Sequence, residues 1–306
     1  MDGIINVYKE KGFTSHDVVA RLRGILHQKK IGHTGTLDPE AVGVLPVCLG
    51  KATKVCDLLT NKDKTYRAVC RLGVSTDTQD MTGEILKKGD YSGVTQEHLT
   101  EVLKGFVGDQ LQVPPMYSAL KVNGKKLYEL AREGKTVERK PRPIRIDSIN
   151  LVEYRQKEGL FTMDVTCSKG TYIRTLCHDI GEKLSCFGAM ESLQRTRVGI
   201  FTLENAITLE QIEGLMKHDE LEQQILSVDA LFPEYPAFQV REEFAVKLSN
   251  GNPLLEFFLR DYPERANTTG LRDLTEGQEF LVYDENGCFK AVYQKGDKDL
   301  RVRKMF

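Results

Sequence analysis

The residues with the clearest capacity for chemistry lie in one short stretch, HTGTLDP, at positions 33 to 39. Asp38 comes directly before Pro39, and a residue that precedes proline is held in an extended conformation. Its carboxylate is therefore presented in a defined direction from a rigid loop, as a catalytic carboxylate is. An ordinary turn residue would give the same local sequence, so this stretch alone leaves both interpretations open.

Several glycines around this stretch raise the question of nucleotide binding. Gly32, Gly35, Gly43 and Gly50 are close together, but neither GxxxxGK[ST] nor GxGxxG is present. Nucleotide binding is therefore poorly supported. The density of Gly and Pro instead indicates a constrained loop that leads into an apolar strand at about residues 42–49.

The elements before and after the loop follow from hydrophobic patterns. The first 26 residues predict a short strand, a turn and a helix capped by Thr14 or Ser15, because apolar residues then recur at helical spacing. Residues 64–72 alternate between apolar and polar, as a β-strand does. These elements form the scaffold that holds the loop.

A second helix carries the most conspicuous cation. Residues 161–184 predict a strand, a Ser-Lys-Gly turn and a helix with Arg174 in its first turn, off the apolar face. A cation there lies near the positive end of the helix dipole, which is unfavourable for a plain surface residue. The two aspartates of the GVSTDTQDMTGEI segment, Asp77 and Asp80, are interpreted as turn carboxylates rather than metal ligands.

The charge of the chain is unevenly distributed. The formal net charge is −1, which argues against a generally basic surface, yet residues 116–146 hold nine Lys and Arg against three Glu. A hairpin and a short helix are predicted there, and their cations are Lys121, Lys125, Lys126, Arg132, Lys135, Arg139, Lys140, Arg142 and Arg145. Such a concentrated basic element suits phosphate contacts, although a solvated helix face would have the same composition.

The composition is that of a globular protein, with 40% hydrophobic and 28% charged residues in 306. No segment approaches the roughly 18 consecutive apolar residues of a membrane span, and the start lacks the pattern of a signal peptide. We therefore expect a cytoplasmic protein. The seven cysteines are scattered and never spaced as CxxC, so neither a disulfide framework nor a zinc site is expected.

The end of the chain reads differently from the rest. The composition changes near Pro233 to Pro236, and the following short apolar runs, QEFLVYD and CFKAVYQ, are separated by Gly and Asn. This pattern predicts a small β domain of about seventy residues, which is enough for a stable module.

Longer motifs carry a resemblance that composition does not. The string GHTGTLDPEAVGVLPVCLGKATK resembles the characteristic motif of the TruB family of pseudouridine synthases. Further matches cover most of residues 3–201: NVYKEKGFTS, KTYRAVCRLGVSTDTQDMTG, VPPMYSALKVNGKKLYELAREG, SKGTYIRTLCHDIGEKL and LQRTRVGIF. Glu10 departs from the family, which commonly has proline after the motif lysine Lys9. The tail, with LSNGNPL, is similar to a small PUA-type RNA-binding domain.

The resemblance implies a fold and an activity. The fold is α+β, with a mixed, largely antiparallel sheet and flanking helices, followed by a small C-terminal β-rich PUA-like domain. Residues 1–235 would be the catalytic domain, with a basic T-loop-binding insertion at about 116–146, and residues 236–306 the RNA-binding domain. The activity is isomerisation of uridine 55, in the T arm of tRNA, to pseudouridine.

Three residues receive catalytic roles from the resemblance. Asp38 matches the catalytic aspartate, Tyr66 the tyrosine that stacks on the target uracil, and Arg174 the arginine that pairs with the aspartate. The reaction breaks the N1–C1′ bond, rotates the uracil and joins C5 to C1′, so it needs an oxygen nucleophile or base beside the ribose. Three first steps stay open for Asp38: attack on C1′, attack on the uracil, or removal of the 2′ proton to give a glycal. We favour the glycal.

The remaining site residues concern substrate binding. The uridine must be flipped out of the T loop at a cost of a few kcal/mol, and stacking on Tyr66 would return about 1–3 kcal/mol. His33 matches the histidine that fills the space left by the flipped base, and Leu193 matches an apolar residue of the uracil pocket, although core packing would explain Leu193 equally well. In the basic insertion, Lys125, Lys126 and Arg132 are expected to contact the T arm.

Two other functions share some of these features. A guide-RNA-dependent catalytic subunit would carry the TLDP motif, but such relatives are expected to lack the insertion. A non-catalytic tRNA-folding chaperone would not need Asp38, Tyr66 and Arg174 together, so chaperone activity would accompany catalysis. The isomerisation is redox-neutral and no metal or nucleotide ligand set is found, so no cofactor is expected. We expect tRNA as the substrate, no protein partner, and a monomer.

Overall fold

The computed structural model describes residues 1–122, 124–262, 264–265 and 269–306, and its strands form one large sheet and three smaller ones. The strands are β1 Gly3–Lys9, β2 Ile31–His33, β3 Val42–Leu49, β4 Lys64–Leu72, β5 Val74–Thr76, β6 Ile85–Lys88, β7 Gly108–Gln112, β8 Lys121–Val122, β9 Lys125–Lys126, β10 Arg142–Arg155, β11 Leu160–Cys167, β12 Gly188–Val198, β13 Phe201–Thr202, β14 Ile225–Leu226, β15 Ala237–Val240, β16 Leu259–Asp261, β17 Glu279–Tyr283, β18 Phe289–Lys295 and β19 Leu300–Met305. The helices are α1 Ser15–Ile25, α2 Cys56–Thr60, α3 Gln96–Lys104, α4 Leu127–Arg132, α5 Ile173–Lys183, α6 Leu209–Lys217 and α7 Ala245–Ser249.

The large sheet has the order β14-β1-β3-β12-β4-β11-β10-β7, with β2 paired to β3 and β13 to β12. Neighbouring strands along this order run antiparallel, apart from β12 and β3, which run parallel and pair Gln194 with Val42 and Arg195 with Gly43. The expected mixed, largely antiparallel sheet is confirmed. Strand β12, late in the chain, lies between two early strands.

Local sequence explains the elements next to the loop. Thr14 caps α1: its hydroxyl accepts from the Asp17 amide while the Asp17 carboxylate accepts from the Thr14 amide, a reciprocal pair that satisfies two free helix donors. Strand β4 buries alternate residues, as its apolar pattern predicts. Strand β3 is buried along nearly its whole length, which matches its continuous apolar run.

Helices cover the large sheet, as expected for the α+β fold. Helices α3 and α5 pack on β4, β10 and β11 through Leu99, Leu103, Leu176, Ile180, Phe161 and Met163. Helices α1 and α6 pack on β1 and β3 through Val18, Leu22, Ile212, Ile5 and Leu45. The loop with Asp38 lies where these groups of elements meet, since Leu37 belongs to the first core and Ile31, before the loop, to the second.

The basic segment divides into two parts. Strands β8 and β9 form the predicted hairpin, and α4 follows it directly. Residues 142–146, however, are the start of β10 and pair with β7 in the large sheet. Ile144 and Ile146 are buried there, so the alternating apolar residues decide the conformation although arginines flank them.

The C-terminal residues form a separate sheet of order β16-β15-β17-β18-β19. It confirms a small β-rich module, whose PUA type stays a prediction. One face packs against the first sheet in a shared apolar cluster that includes Val44, Cys48, Val198, Phe201, Ala237, Leu281, Tyr283 and Val292. Among the described residues, no helix is both long and apolar enough to cross a membrane.

Candidate active site

The loop between β2 and β3 is fixed at several points. The Leu37 amide donates to the Ser15 hydroxyl at 2.9 Å, and the Leu37 side chain is buried. The carbonyl of Pro39 accepts from the Gly12 amide at 2.9 Å. Gly35 has a φ of +128°, which an L side chain rarely adopts. Asp38 is thus presented from a rigid loop, and its side chain keeps 42% of its surface exposed.

Arg174 binds the Asp38 carboxylate side-on. Arg174 Nε lies 3.0 Å from Asp38 Oδ2, and Arg174 Nη2 lies 3.4 Å from Asp38 Oδ1. The arginine is the second residue of α5 and its side chain is only 8% exposed, so the guanidinium has a fixed position. Such a two-point contact fixes the plane of the carboxylate as well as its location.

The other donors of Arg174 hold two further segments. Nη1 donates to the Thr78 carbonyl at 3.2 Å and lies 3.5 Å from Asp80 Oδ2, while Nη2 donates to the Tyr117 carbonyl at 2.9 Å. Asp80 is a turn residue as expected, since its Oδ1 accepts from the Thr82 amide at 3.0 Å. Its second oxygen, which faces Arg174, gives it a further role that the turn interpretation missed.

Tyr66 and Leu193 lie side by side on adjacent strands next to the loop. In the β4/β12 register Ala68 is opposite Leu193 and Tyr66 is opposite Arg195. Tyr66 and Leu193 are 8% and 9% exposed and belong to the same apolar cluster as Leu37. Burial raises the pKa of the Tyr66 phenol, and the positive charge of Arg195 opposes part of this rise.

His33 is at the end of β2, on the other side of the loop. Its Nδ1 accepts from the Gly35 amide at 3.3 Å, and its ring meets that of His16 edge-on with centroids 5.2 Å apart. Burial, followed by the charges of His16 and Arg195, lowers the pKa of His33. The ring is therefore neutral at physiological pH and offers a flat, uncharged surface.

The three cations chosen from the basic segment lie on two other elements, β9 and α4. Lys126 Nζ and the Arg132 guanidinium both lie over the Tyr128 ring, 5.3 and 5.4 Å from its centroid. Lys125 Nζ is 3.5 Å from Glu133. These cations are attached close to the site by sequence, because Tyr117, which contacts Arg174, lies four residues before β8.

Three buried cations around the loop were not identified from sequence. Lys9 Nζ donates to the carbonyls of Glu10, Phe13 and Pro39, and burial lowers its pKa to about 8. These contacts tie the Glu10 turn to the residue after Asp38. The only available signal was the occurrence of a charged residue within an apolar strand.

The other two cations are Lys64 and Arg195. Lys64 Nζ donates to the carbonyls of Thr60 and Lys62, both at 2.7 Å, and burial lowers its pKa to about 8. Arg195 is 1% exposed. Gly43 permits the close approach of β3 to β12, since a Cβ there would lie 2.2 Å from the Arg195 carbonyl oxygen.

The arrangement as a whole suits chemistry at an anion-bearing, ring-containing substrate. A rigid, half-exposed carboxylate held by a buried guanidinium can act as base or nucleophile. A buried phenol and an apolar side chain beside it can bind a flat ring. The surrounding cations favour a polyanion.

The chain is similar to known proteins over most of its length. Residues 23–173 match the model of the TruB family pseudouridylate synthase N-terminal domain, and residues 174–232 match that of the tRNA pseudouridylate synthase B C-terminal domain. Proteins named tRNA pseudouridine synthase B are similar over nearly the whole chain. The one from Lachnoclostridium phytofermentans is 52% identical over 97% of this chain and 96% of its own, and the one from Bacillus cytotoxicus is 46% identical over 97% and 94%.

The fold has solved counterparts. A chain in the crystal structure of a Cbf5-Nop10-Gar1 complex has a TM-score of 0.71 and 27% identity, covering 99% of this chain and 84% of that one. A chain of an H/ACA RNP bound to a substrate RNA containing 2′-deoxyuridine has the same TM-score at 24% identity, with the same coverage. The fold and these matches define an enzyme that acts on tRNA. The chain belongs to the TruB family of pseudouridylate synthases.

Proposed function

We propose that this chain converts uridine 55 in the T arm of tRNA to pseudouridine, with Asp38 as the catalytic carboxylate. The observation that carries the proposal is the two-point contact between Asp38 and the buried Arg174, on a rigid loop, in a chain of this family. The names of its relatives supply the substrate class, tRNA.

The residues divide the reaction between them. Asp38 removes the 2′ proton of the ribose; the C2′–H electron pair forms the C1′=C2′ bond of a glycal, and the pair of the N1–C1′ bond leaves with the uracil. The uracil rotates and its C5 attacks C1′, while Asp38 returns the proton to C2′. The C5 proton then leaves, its electron pair restores the C5=C6 bond, and N1 takes up a proton. Arg174 holds the carboxylate plane throughout, because both of its contacts to Asp38 come from one planar group.

The flipped uracil binds between the loop and the β4/β12 pair. Tyr66 provides the ring on which the base stacks, and Leu193 closes the pocket beside it. His33, which is uncharged and lies at the far end of the loop, fills the space that the base leaves in the T loop. This contact replaces part of the stacking lost on flipping.

The two RNA-binding parts lie outside this pocket. The hairpin β8/β9 and α4, within the segment 116–146, contact T-arm phosphates through Lys125, Lys126 and Arg132. Residues 1–235 are the catalytic domain, and residues 236–306 are a PUA-like domain that binds RNA. Because the chain carries its own basic T-arm element, it works as a monomer without guide RNA or protein partner, in the cytoplasm where tRNA is modified.

The test uses an unmodified tRNA transcript and carbodiimide mapping of pseudouridine along it. Wild-type protein is expected to give product at position 55. Asp38→Asn keeps the shape of the side chain and removes its basicity, so it should give no product while tRNA affinity stays within a few-fold. Asp164→Asn is the matched control, since Asp164 also has a two-point contact with an arginine, Arg67, but on the surface. Turnover by Asp38→Asn near the wild-type rate would contradict the assignment.

A further inference from the structure

Arg195 is a buried cation without an acidic partner. It is 1% exposed, and no carboxylate lies within ion-pair distance of it among the residues that the structure describes. Buried charges in proteins are normally paired or coordinate an ion, because removing a charge from water is costly. A functional role would explain why an unpaired guanidinium is kept at this depth, despite the free-energy cost of removing its charge from water.

The hydrogen bonds that Arg195 donates indicate what this role is. Nε donates to the Val44 carbonyl at 2.7 Å, and Nη2 donates to the Gly35 carbonyl at 3.3 Å. Gly35 is three residues before Asp38 in the loop. The guanidinium thus fixes the early part of the loop whose later part presents the catalytic carboxylate.

The same side chain also faces the phenol of Tyr66. Arg195 is directly opposite Tyr66 in the β4/β12 register, and the register shifts immediately after Arg195, between it and Arg197. Such a bulge changes the direction of side chains along a strand. The guanidinium opposes the rise that burial causes in the pKa of Tyr66, and the phenol in turn opposes the fall that burial causes in the pKa of Arg195.

We propose that Arg195 is a positioning residue for the reaction: it holds the Tyr66 phenol and the Gly35 end of the loop together, and stabilises the phenolate that takes the C5 proton. In that step the C5–H bond breaks and its electron pair forms C5=C6. The N1=C6 pair moves to N1, which takes a proton from water, and the C5 proton goes to the Tyr66 oxygen. The inference rests on the proposed function, because Tyr66 has this partner only when a uracil is rejoined through C5.

Direct titration of Tyr66 tests the electrostatic part without relying on activity. The protein is labelled with 3-fluorotyrosine, and the Tyr66 resonance is identified as the fluorine signal that Tyr66→Phe removes. Arg195→Met should raise the titration midpoint of this resonance by at least one pH unit, and Arg195→Lys, which keeps the charge, by less. Arg197→Met is the matched control, because Arg197 is on the same strand and donates instead to Thr65 Oγ1 and the Gly199 carbonyl.

Kinetics test the positioning part. Release of tritium from [5-³H]uridine-labelled tRNA is measured in single turnovers across pH for wild type, the Arg195 variants and the same variants in a Tyr66→Phe background. The rise of rate with pH should move to higher pH in Arg195→Met, and this shift should vanish when Tyr66 is phenylalanine. A purely structural role would slow both backgrounds equally.

The outcomes separate the two ideas. A wild-type protein that releases no tritium would refute the proposed function, whatever the fluorine titration shows. An active wild type whose Tyr66 midpoint and pH profile are unchanged in both Arg195 variants would overturn the role of Arg195. A Tyr66 resonance that stays protonated to pH 11 in wild type would overturn it as well. If Arg195→Met fails to fold, Arg195→Lys decides, since any rise of its midpoint supports the role and none refutes it.

Discussion

Replacement of Arg174 by lysine separates the geometry of the Asp38 contact from its charge. The arginine reaches both carboxylate oxygens of Asp38, at 3.0 and 3.4 Å, and also contacts Asp80 and the carbonyls of Thr78 and Tyr117. A lysine ammonium has three donors around one point and no planar fork. It keeps the positive charge but cannot hold both oxygens of Asp38 in the same plane.

The size of the effect follows from the hydrogen bonds that a lysine cannot make. A hydrogen bond to a charged group contributes about 1.5–3 kcal/mol, and the lysine variant has one fewer such bond to Asp38. Because 42% of the Asp38 side chain is exposed, water can donate hydrogen bonds to the carboxylate and so limits any further loss of stabilisation. A net loss of about 1.5–3 kcal/mol corresponds to a rate about 10- to 150-fold lower.

The assay is single-turnover pseudouridine formation at saturating enzyme, so that weaker tRNA binding does not enter the rate. Arg67→Lys is the matched control: Arg67 holds Asp164 with distances of 2.9 and 2.8 Å, but on the exposed face of the sheet. Surface ion pairs contribute about 0–1 kcal/mol, so this variant should stay within a few-fold of wild type. A folded Arg174→Lys protein that is equally close to wild type would refute the geometric argument.

Three further predictions concern the Tyr66 phenol, the basic segment and the buried thiol of Cys167. Tyr66→Phe keeps the stacking ring, so tRNA affinity should hold in a filter-binding assay while single-turnover rate falls; equal rates would leave Tyr66 as a stacking platform only. Changing Lys125, Lys126 and Arg132 to Glu should raise the KM for tRNA strongly and weaken the dependence of binding on salt. The slope of log affinity against log salt concentration should fall by somewhat under one unit for each phosphate that is no longer neutralised. An unchanged KM and salt slope would mean that these cations are merely solvated. Burial raises the pKa of the Cys167 thiol to about 12, so the native state keeps a proton that the unfolded state loses above pH 9. The free energy of unfolding therefore falls as pH rises. Between pH 9 and 10.5, Cys167→Ala should reduce this fall by about 2 kcal/mol, measured by urea unfolding. The same pH dependence in the two proteins would contradict this.

Patterns in the sequence predicted the elements that bury one face. The strands near residues 42–49 and 64–72 and the helix capped by Thr14 follow from local apolar spacing, and the structure confirms them. The sheet order does not follow from spacing, because no local signal brings β12 between β3 and β4. The family resemblance implied a mixed sheet without giving this order.

The site was predictable only in part. Asp38 stood out because it precedes proline, and Arg174 because it begins a helix. Tyr66 and Leu193 look like core residues, and their burial in the structure is consistent with that local appearance. Arg195 and the second contact of Asp80 were missed, since both depend on strands and turns distant in sequence coming together.

The central position of β12 has a consequence for synthesis on the ribosome. Strands β3 and β4 are made early, yet the strand that joins them ends at Val198. Until then β4, which β12 pairs from Lys64 to Leu72, exposes an edge of unpaired backbone groups, and such an edge favours association between nascent chains. Leu193 and Arg195 arrive with the joining strand, so the pocket is completed only when β12 enters the sheet. A chain interrupted before this point would carry Asp38, Tyr66 and Arg174 and still lack a closed site.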